Sequence, residues 1–201
     1  TEAQVNAVIT AGATITKRTD YASTLSDGDV EENLLDDILA DTTGIVTATS
    51  TGATAAALVA ALDSGAATDA LTLTIAAGAA AATDLTTLDG FTTVAVGAGA
   101  VTDISGTEAQ VSAVVDAGAT ITTASDYTST LSDADIDEDL LDDILADTTG
   151  VVTATSTGET AATLVAALAR GAATDALTLT LAGTAAATDL TTLDGFTTVA
   201  V

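Results

Sequence analysis

The sequence repeats itself almost letter for letter, and this repetition constrains the fold more than any local pattern does. Residues 1–96 return as residues 107–201, with TEAQVNAVITAGATIT changed only to TEAQVSAVVDAGATIT and ATDLTTLDGFTTVAV unchanged. The offset is 106 residues between Thr1 and Thr107 and 105 residues between Phe91 and Phe196. We therefore divide the chain into repeat copy 1 (1–106) and repeat copy 2 (107–201). Because copy 2 stops at TTVAV, where copy 1 continues as GAGAVTDISG, we expect a truncated array.

The composition favours a core built by stacking repeats. The chain has no Cys, Met, Pro, Trp or His, and only 2% of its residues are aromatic. No disulfide or thiolate metal site can form without Cys. The hydrophobic fraction is 48%, but much of it is Ala and Val, which each bury little area. Such small side chains suit a quasi-one-dimensional core.

Short stretches with an alternating pattern predict parallel strands that are linked by helices. In copy 1 these strands are ATIT (13–16), IVTAT (45–49), LTLTI (71–75) and TTVAV (92–96), and each recurs in copy 2. Four strand–helix units per copy average roughly 26 residues, which lies within the range of leucine-rich repeats. We predict an α/β fold, a right-handed solenoid with a parallel sheet that is continuous through both copies. A pure β-solenoid is the alternative, because Thr and Val favour strands.

Helix boundaries are predicted from caps and glycines. Asp29 with Glu32, and Asp135 with Glu138, resemble capping boxes, and Thr107 with Gln110 forms another. Extra extended stretches are expected at YASTLSD and AVTDISG, before two of the four helices. Each helix is expected to end at a glycine in the left-handed conformation: Gly44, Gly65, Gly90 and Gly118.

Charge and residue types exclude several functions. The formal net charge is −26, and Lys17, Arg18 and Arg170 are the only cations, so we expect no nucleic-acid partner. No apolar run is long enough for a transmembrane helix, so no membrane insertion is expected. His and Cys are absent, and no spacing singles out a pair of carboxylates. We predict that the protein is not an enzyme and name no catalytic residue.

Alternating carboxylates form an acidic run in each copy. The members are Asp27, Asp29 and Glu31 in copy 1, and Asp133, Asp135, Asp137 and Asp139 in copy 2. In an extended loop such oxygens can bind a hard cation such as calcium. An EF-hand is rejected because Glu138 and Ile144 stand where its glycine and its last glutamate would be. The other interpretation is that the acids complement the helix dipole, with calcium not required.

Threonines recur at every second position of the predicted strands. They are Thr14, Thr16, Thr47, Thr49, Thr72 and Thr74 in copy 1, and Thr120, Thr122, Thr153, Thr155, Thr178 and Thr180 in copy 2. If the intervening apolar residues face the helices, these threonines share the opposite face and form a threonine ladder. Such ladders resemble the binding faces of ice-binding β-solenoids. The other interpretation is that Thr is a good strand former on a half-buried face.

The phrases ADTTGIVTAT (40–49), ATDLTTLDGFTTVAV and GTEAQVSAV (106–114) carry a resemblance. They resemble the Ala/Thr/Asp-rich tandem repeats of very large secreted or cell-surface proteins of marine cyanobacteria and other aquatic bacteria. The resemblance implies an extracellular, filament-forming or adhesive array and no catalytic residues. We therefore expect a structural module at the cell surface that works by stiffness and self-association. A ligand-binding solenoid, for ice or as a calcium-dependent adhesin, is the alternative.

Overall fold

Helices and strands alternate along both copies. The computed structural model describes residues 1–201 with the exception of the side chain of Ala13. Its helices are α1 (Glu2–Thr10), α2 (Glu32–Asp41), α3 (Ala55–Ala61), α4 (Ala82–Asp89), α5 (Glu108–Asp116), α6 (Glu138–Asp147), α7 (Ala161–Ala167) and α8 (Ala187–Asp194), with a 3-10 helix at Gly12–Thr14. Its strands are β1 (Ser23–Thr24), β2 (Val46–Ala53), β3 (Ala70–Ile75), β4 (Gly78–Ala81), β5 (Val96–Ala98), β6 (Val101–Gly106), β7 (Ile121–Thr123), β8 (Thr128–Leu131), β9 (Val152–Thr157) and β10 (Ala176–Thr180).

Two units share these elements. Unit 1 comprises residues 1–100 and 118–123, and unit 2 comprises residues 101–117 and 124–201. The parallel sheet of unit 1 has the order β1-β2-β3-β5-β7, and the parallel strands of unit 2 have the order β10-β9-β8-β6. Parallel neighbours need crossover connections, which the helices supply. The predicted α/β class is confirmed, and the eight α-helices in the described part of the chain contradict the pure β alternative.

The core forms where the apolar face of each sheet meets the apolar stripe of the helices. Leu71 and Leu73 of β3 are buried, whereas Thr72 and Thr74 between them are exposed. In α2 the residues that the 3.6-residue period aligns, including Leu35 and Ile38, are completely buried. Burial of each such side chain contributes roughly 2 kcal/mol. The alternating apolar residues that predicted the strand and the apolar stripe that predicted the helix are therefore the residues that form the core.

Two of the predicted strands differ from the structure. IVTAT and LTLTI lie within β2 and β3, but ATIT of copy 1 is a 3-10 turn followed by irregular chain, and only its copy 2 counterpart forms β7. In TTVAV only Val96 belongs to a strand, and residues 197–201 contain none. Thr92 explains this difference, because its hydroxyl bonds the backbone of β3 and replaces a ladder of main-chain bonds. The extra extended stretches are confirmed as β1, β6 and β8.

The predicted caps are partly wrong. Thr107 and Gln110 do form a capping box, but α2 and α6 are capped by Glu31 and Asp137 rather than by Asp29 and Asp135. Asp29 and Asp135 accept instead from the amides of Thr51 and Thr157, and the residues after them, Val30 and Ile136, are buried in the core.

The predicted left-handed glycine caps are wrong at the four named positions, although Gly12, the copy 1 counterpart of Gly118, follows the C-cap of α1 with a φ of 51°. None of Gly44, Gly65, Gly90 and Gly118 is among the glycines with positive φ in the described residues. Gly44 is needed for another reason, since a Cβ there would collide with the carbonyl of Tyr21. Gly150 lies in the same way against the carbonyl of Tyr127. These glycines allow close approach of two backbone segments instead of ending a helix.

Candidate functional site

The threonines of the central strands form small grids on the solvent face. Thr49 lies opposite Thr72, and Thr51 lies opposite Thr74, in the register of β2 and β3. Neighbours are about 4.8 Å apart across the strands and about 6.6 Å apart along them. The same register joins β9 to β10 in copy 2, with the pairs Thr155–Thr178 and Thr157–Thr180. Each unit therefore carries a group of four threonines, of which Thr49 and Thr155 are half-buried and the others exposed.

The remaining members of the predicted ladder extend the grids unevenly. Thr47 and Thr153 are exposed but lie opposite Ala70 and Ala176, which interrupts their rows. Thr122 lies beside Gly97 of β5. Thr14, Thr16 and Thr120 lie outside the strands. Thr51 and Thr157 continue the pattern of Thr at every second position and belong to the grids, although the predicted strand IVTAT (45–49) and its copy 2 counterpart ended before them.

Four Thr-Thr pairs connect successive strand–helix units through their hydroxyls: Thr42-Thr43, Thr92-Thr93, Thr148-Thr149 and Thr197-Thr198. We call each of them a Thr-Thr clasp. The Thr92 hydroxyl donates to the Leu71 carbonyl (2.8 Å) and accepts from the amides of Leu71 (2.9 Å) and Val94 (3.0 Å). The next residue, Thr93, donates both its amide (2.7 Å) and its hydroxyl (2.9 Å) to the Asp69 carbonyl. One dipeptide thus makes these five hydrogen bonds and two longer ones, from the Thr92 hydroxyl to the Asp69 carbonyl (3.4 Å) and from the Thr92 amide to the Asp89 carbonyl (3.5 Å).

The other clasps repeat this geometry. The Thr197 hydroxyl donates to the Leu177 carbonyl (2.8 Å) and accepts from the amide of the same residue (2.9 Å). Thr42 and Thr148 donate to the carbonyls of Tyr21 and Tyr127, the same carbonyls that a Cβ at the following glycines would meet. The first threonine of every clasp is at most 8% exposed. These hydroxyls are therefore part of the core.

Asp69 connects three segments of unit 1 and is only 4% exposed. Its carboxylate accepts from the amide of Val46 (2.8 Å) and from the amide of Ala66 (3.1 Å). Its carbonyl is the acceptor for Thr93. Asp175 makes the same contacts in unit 2, to the amides of Val152 and Ala172, both at 2.9 Å. A buried carboxylate without a cation is stabilised here by amide donors.

The carboxylates of the acidic runs also bond backbone amides. Asp27 and Asp133 accept from the first helical residues, Glu2 (2.6 Å) and Glu108. Asp29 and Asp135 accept from Thr51 and Thr157, each at 2.7 Å. Glu31 and Asp137 cap their own helices, and Asp139 is exposed in the first turn of α6. In the part of the chain that the structure describes, no three acidic side chains form a group that could hold a metal ion. The calcium site stays a prediction.

Glu108 contacts the acidic run of copy 2 and, unlike the members of that run, is buried. It is 7% exposed, and both its carboxylate oxygens lie within 3.0 Å of the Asp137 amide. Burial raises the pKa of the Glu108 carboxyl, and the negative charges of Asp137, Asp133 and Glu138 add to that increase. Its counterpart Glu2 accepts from the Glu31 amide at 2.7 Å. The acids thus connect the start of one helix to the loop before the next.

The three cations each form one ion pair. Lys17 contacts Asp41 (2.7 Å), Arg18 contacts Asp20 and Arg170 contacts Asp142. The Lys17 ammonium group and the Tyr21 hydroxyl lower the pKa of Asp41. In copy 2, Tyr127 donates to Asp147 (2.8 Å) with Thr123 in the place of the lysine. The hydrogen bond between tyrosine and aspartate therefore forms in copy 2 without a lysine beside it.

Sequence reasoning missed the clasps and the two buried aspartates. The signal was present, since a Thr-Thr dipeptide follows the end of a helix four times at equivalent positions of the two copies. We interpreted two of those dipeptides as strand residues. The burial of Asp69 had no such signal, because an aspartate followed by a strand is typical of exposed turns.

Comparisons with protein-family models, with curated proteins and with solved structures each found no match. In the described residues no helix has the length and apolar character needed to cross a membrane. Function must therefore be argued from the geometry of this chain.

Proposed function

We propose that the chain is a structural repeat module of an extracellular surface, matrix or filament-forming protein, without catalytic activity. In this proposal the strand–helix units continue as one right-handed solenoid. The module works by stiffness and by self-association.

The proposal rests on one observation: polar side chains form hydrogen bonds between successive strand–helix units. The clasps, the buried aspartates, Glu108 and four members of the acidic runs (Asp27, Asp29, Asp133 and Asp135) each bond a backbone group about 20 to 30 residues away along the chain. Their oxygens already serve as structural acceptors or donors. Such bonds restrain each strand–helix unit against the next one, and this restraint would make the array stiff.

The charge agrees with an extended extracellular role. A net charge of −26 on 201 residues disfavours a compact assembly by self-repulsion and keeps a long array soluble. In seawater or another salt-rich medium this repulsion is screened, because the Debye length falls below about 8 Å. The resemblance to the repeats of large surface proteins of aquatic bacteria points to the same environment.

Electron microscopy and small-angle X-ray scattering test this function directly. We expect elongated particles whose length and order do not change when a calcium chelator is added. Compact globular particles would contradict the structural proposal. Elongated particles that lose order on chelation would instead support a calcium-dependent adhesin that binds the cation at Asp133, Asp135, Asp137 and Asp139.

A second candidate is ice binding, which the two threonine grids favour. In each grid two pairs of threonines lie opposite one another on neighbouring strands, and three of the four residues are exposed. If the grids bind ice, thermal hysteresis should be measurable and should fall at least tenfold in the double variant Thr72→Tyr and Thr178→Tyr, whose rings interrupt the threonine rows. Thr83→Tyr with Thr188→Tyr, on the exposed faces of α4 and α8, is the matched control. Absence of hysteresis in the original chain removes this candidate.

A further inference from the structure

The strands of each unit lie in the order in which they follow one another along the chain. The sheet of unit 1 has the order β1-β2-β3-β5-β7, and the parallel strands of unit 2 have the order β6-β8-β9-β10. The paired residues are 22 to 25 positions apart in the chain, from Ala53 with Ile75 to Asp103 with Thr128. These pairs therefore join a strand–helix unit to its direct neighbours in the chain.

The side-chain bonds of the clasps, the buried aspartates and Glu108 follow the same rule. Their bonds to other strand–helix units span from 20 residues, between Thr197 and Leu177, to 29 residues, between Glu108 and Asp137. The bond from the Val46 amide to the buried aspartate lies between these limits, at 23 residues. The chain has no Cys, so no disulfide joins distant units. Connections of this length hold each unit to its neighbours, so a unit at the end of a series can detach while the others stay folded.

The direction of the bonds in the sheets determines how a pull on the chain acts on them. Hydrogen bonds between strands lie across the strands, in the direction in which one strand follows the next. Because the strands keep the order of the chain, a pull on its two ends acts along these bonds and separates the outermost strand first. A pull along the strands would instead have to break all the bonds of a pair together. The strand order therefore allows tension to remove the strand–helix units one at a time.

The chain also lacks the features that delay refolding. It contains no Pro, so no prolyl isomerisation slows the return to the folded state. Pairing partners 22 to 25 positions apart are close together in a chain of 201 residues, and short-range contacts form quickly. A detached unit also keeps a folded neighbour on which it can pair again.

We propose that the chain is an extensible tether whose strand–helix units detach one after another under tension and refold when the tension is released. Below the force that detaches a unit, the bonds between units keep the array stiff. Each detached unit of about 24 residues adds roughly 80 Å of extended chain. The inference rests on the proposed structural function and adds a reversible response to load.

Optical tweezers that hold the full chain by its two ends test the proposal at constant force. We expect extension steps of ~80 Å, one for each of the strand–helix units that the eight helices define, and the same steps in reverse when the force is lowered. Thr92→Val removes the clasp bonds to Leu71 and should shorten the lifetime of one step at least tenfold, with the other lifetimes unchanged. Addition of Thr197→Val, which removes the equivalent bonds in copy 2, should shorten the lifetime of a second step.

Thr72→Val is the matched control, because this exposed side chain belongs to no clasp, and every step should keep its lifetime. A single step of about 700 Å, the length of the whole extended chain, would overturn the tether. So would equal shortening of all lifetimes by Thr92→Val, or steps that do not reverse when the force is lowered. Any of these results with particles that are elongated in small-angle scattering overturns the tether alone, whereas compact particles also overturn the proposed function.

Discussion

The Asp69→Ala variant is expected to lose about 3 kcal/mol of unfolding free energy, because the buried amide of Val46 would remain without an acceptor and the amide of exposed Ala66 would lose its bond to the carboxylate. The loss should exceed that from an exposed acid, since Asp69 is 4% exposed and joins three segments of unit 1. Urea unfolding followed by circular dichroism measures the shift in midpoint. Asp175→Ala should show a similar loss, because its two amide contacts have nearly the same distances.

The control for this prediction is Asp37→Ala, at an exposed position of α2. It removes the same charge and should change the unfolding free energy by less than about 0.5 kcal/mol. The comparison separates the effect of the buried hydrogen bonds from relief of the repulsion within a chain of net charge −26. If Asp69→Ala unfolds at the same urea concentration as Asp37→Ala, the connecting role of the buried aspartate is wrong.

The parts of the fold that depend on local sequence could be predicted. The alternation in LTLTI places Leu71 and Leu73 in the core, and the stripe in α2 places Leu35 and Ile38 there. The capping box at Thr107 and Gln110 needs only four consecutive residues. In each case the signal lies within one turn or one strand, so no knowledge of distant contacts is required.

The parts that depend on distant partners could not be predicted. Asp29 and Glu31 are both acceptable helix caps. Glu31 caps the helix because the Asp29 carboxylate already accepts a hydrogen bond from the amide of Thr51, 22 residues away. The TTVAV segment has a high strand propensity, yet Thr92 bonds the backbone of β3 and the segment is irregular up to Val96. Local propensity is overridden here by side-chain-to-backbone bonds that exist only after the units have stacked.

The candidate site shows the same division. The positions of the threonine grids follow from strand alternation, and Thr49, Thr72 and Thr74 were recognised for that reason. Thr51 was missed because it follows Ser50 at the end of β2, where the apolar alternation stops. Ser50 is nevertheless buried, and its hydroxyl donates to Glu32 at 2.8 Å. A buried polar residue can thus occupy an inward position that hydrophobic patterning does not reveal.

The clasps lead to the second large effect, which is expected in Thr92→Val. Valine has a similar shape, so the packing should be nearly unchanged, but the amides of Leu71 and Val94 would lose their shared acceptor. We expect a loss of about 3 kcal/mol in unfolding free energy, since each buried amide without a partner costs roughly 1–3 kcal/mol. Urea unfolding measures this loss, and hydrogen exchange should show faster exchange at the Leu71 amide.

Thr72→Val is the matched control for the same substitution. The Thr72 side chain is exposed on the face of β3 that lies opposite buried Leu71 and Leu73, and valine is at least as good a strand former as threonine. The unfolding free energy should therefore stay within about 0.5 kcal/mol of that of the original chain. Thr197→Val should reproduce the loss in copy 2, because its hydroxyl makes equivalent bonds to Leu177 and Val199. Equal stability of Thr92→Val and Thr72→Val would mean that the clasp hydroxyls contribute no more than exposed ones. The stiffness of the proposed module would then have to come from the apolar core alone.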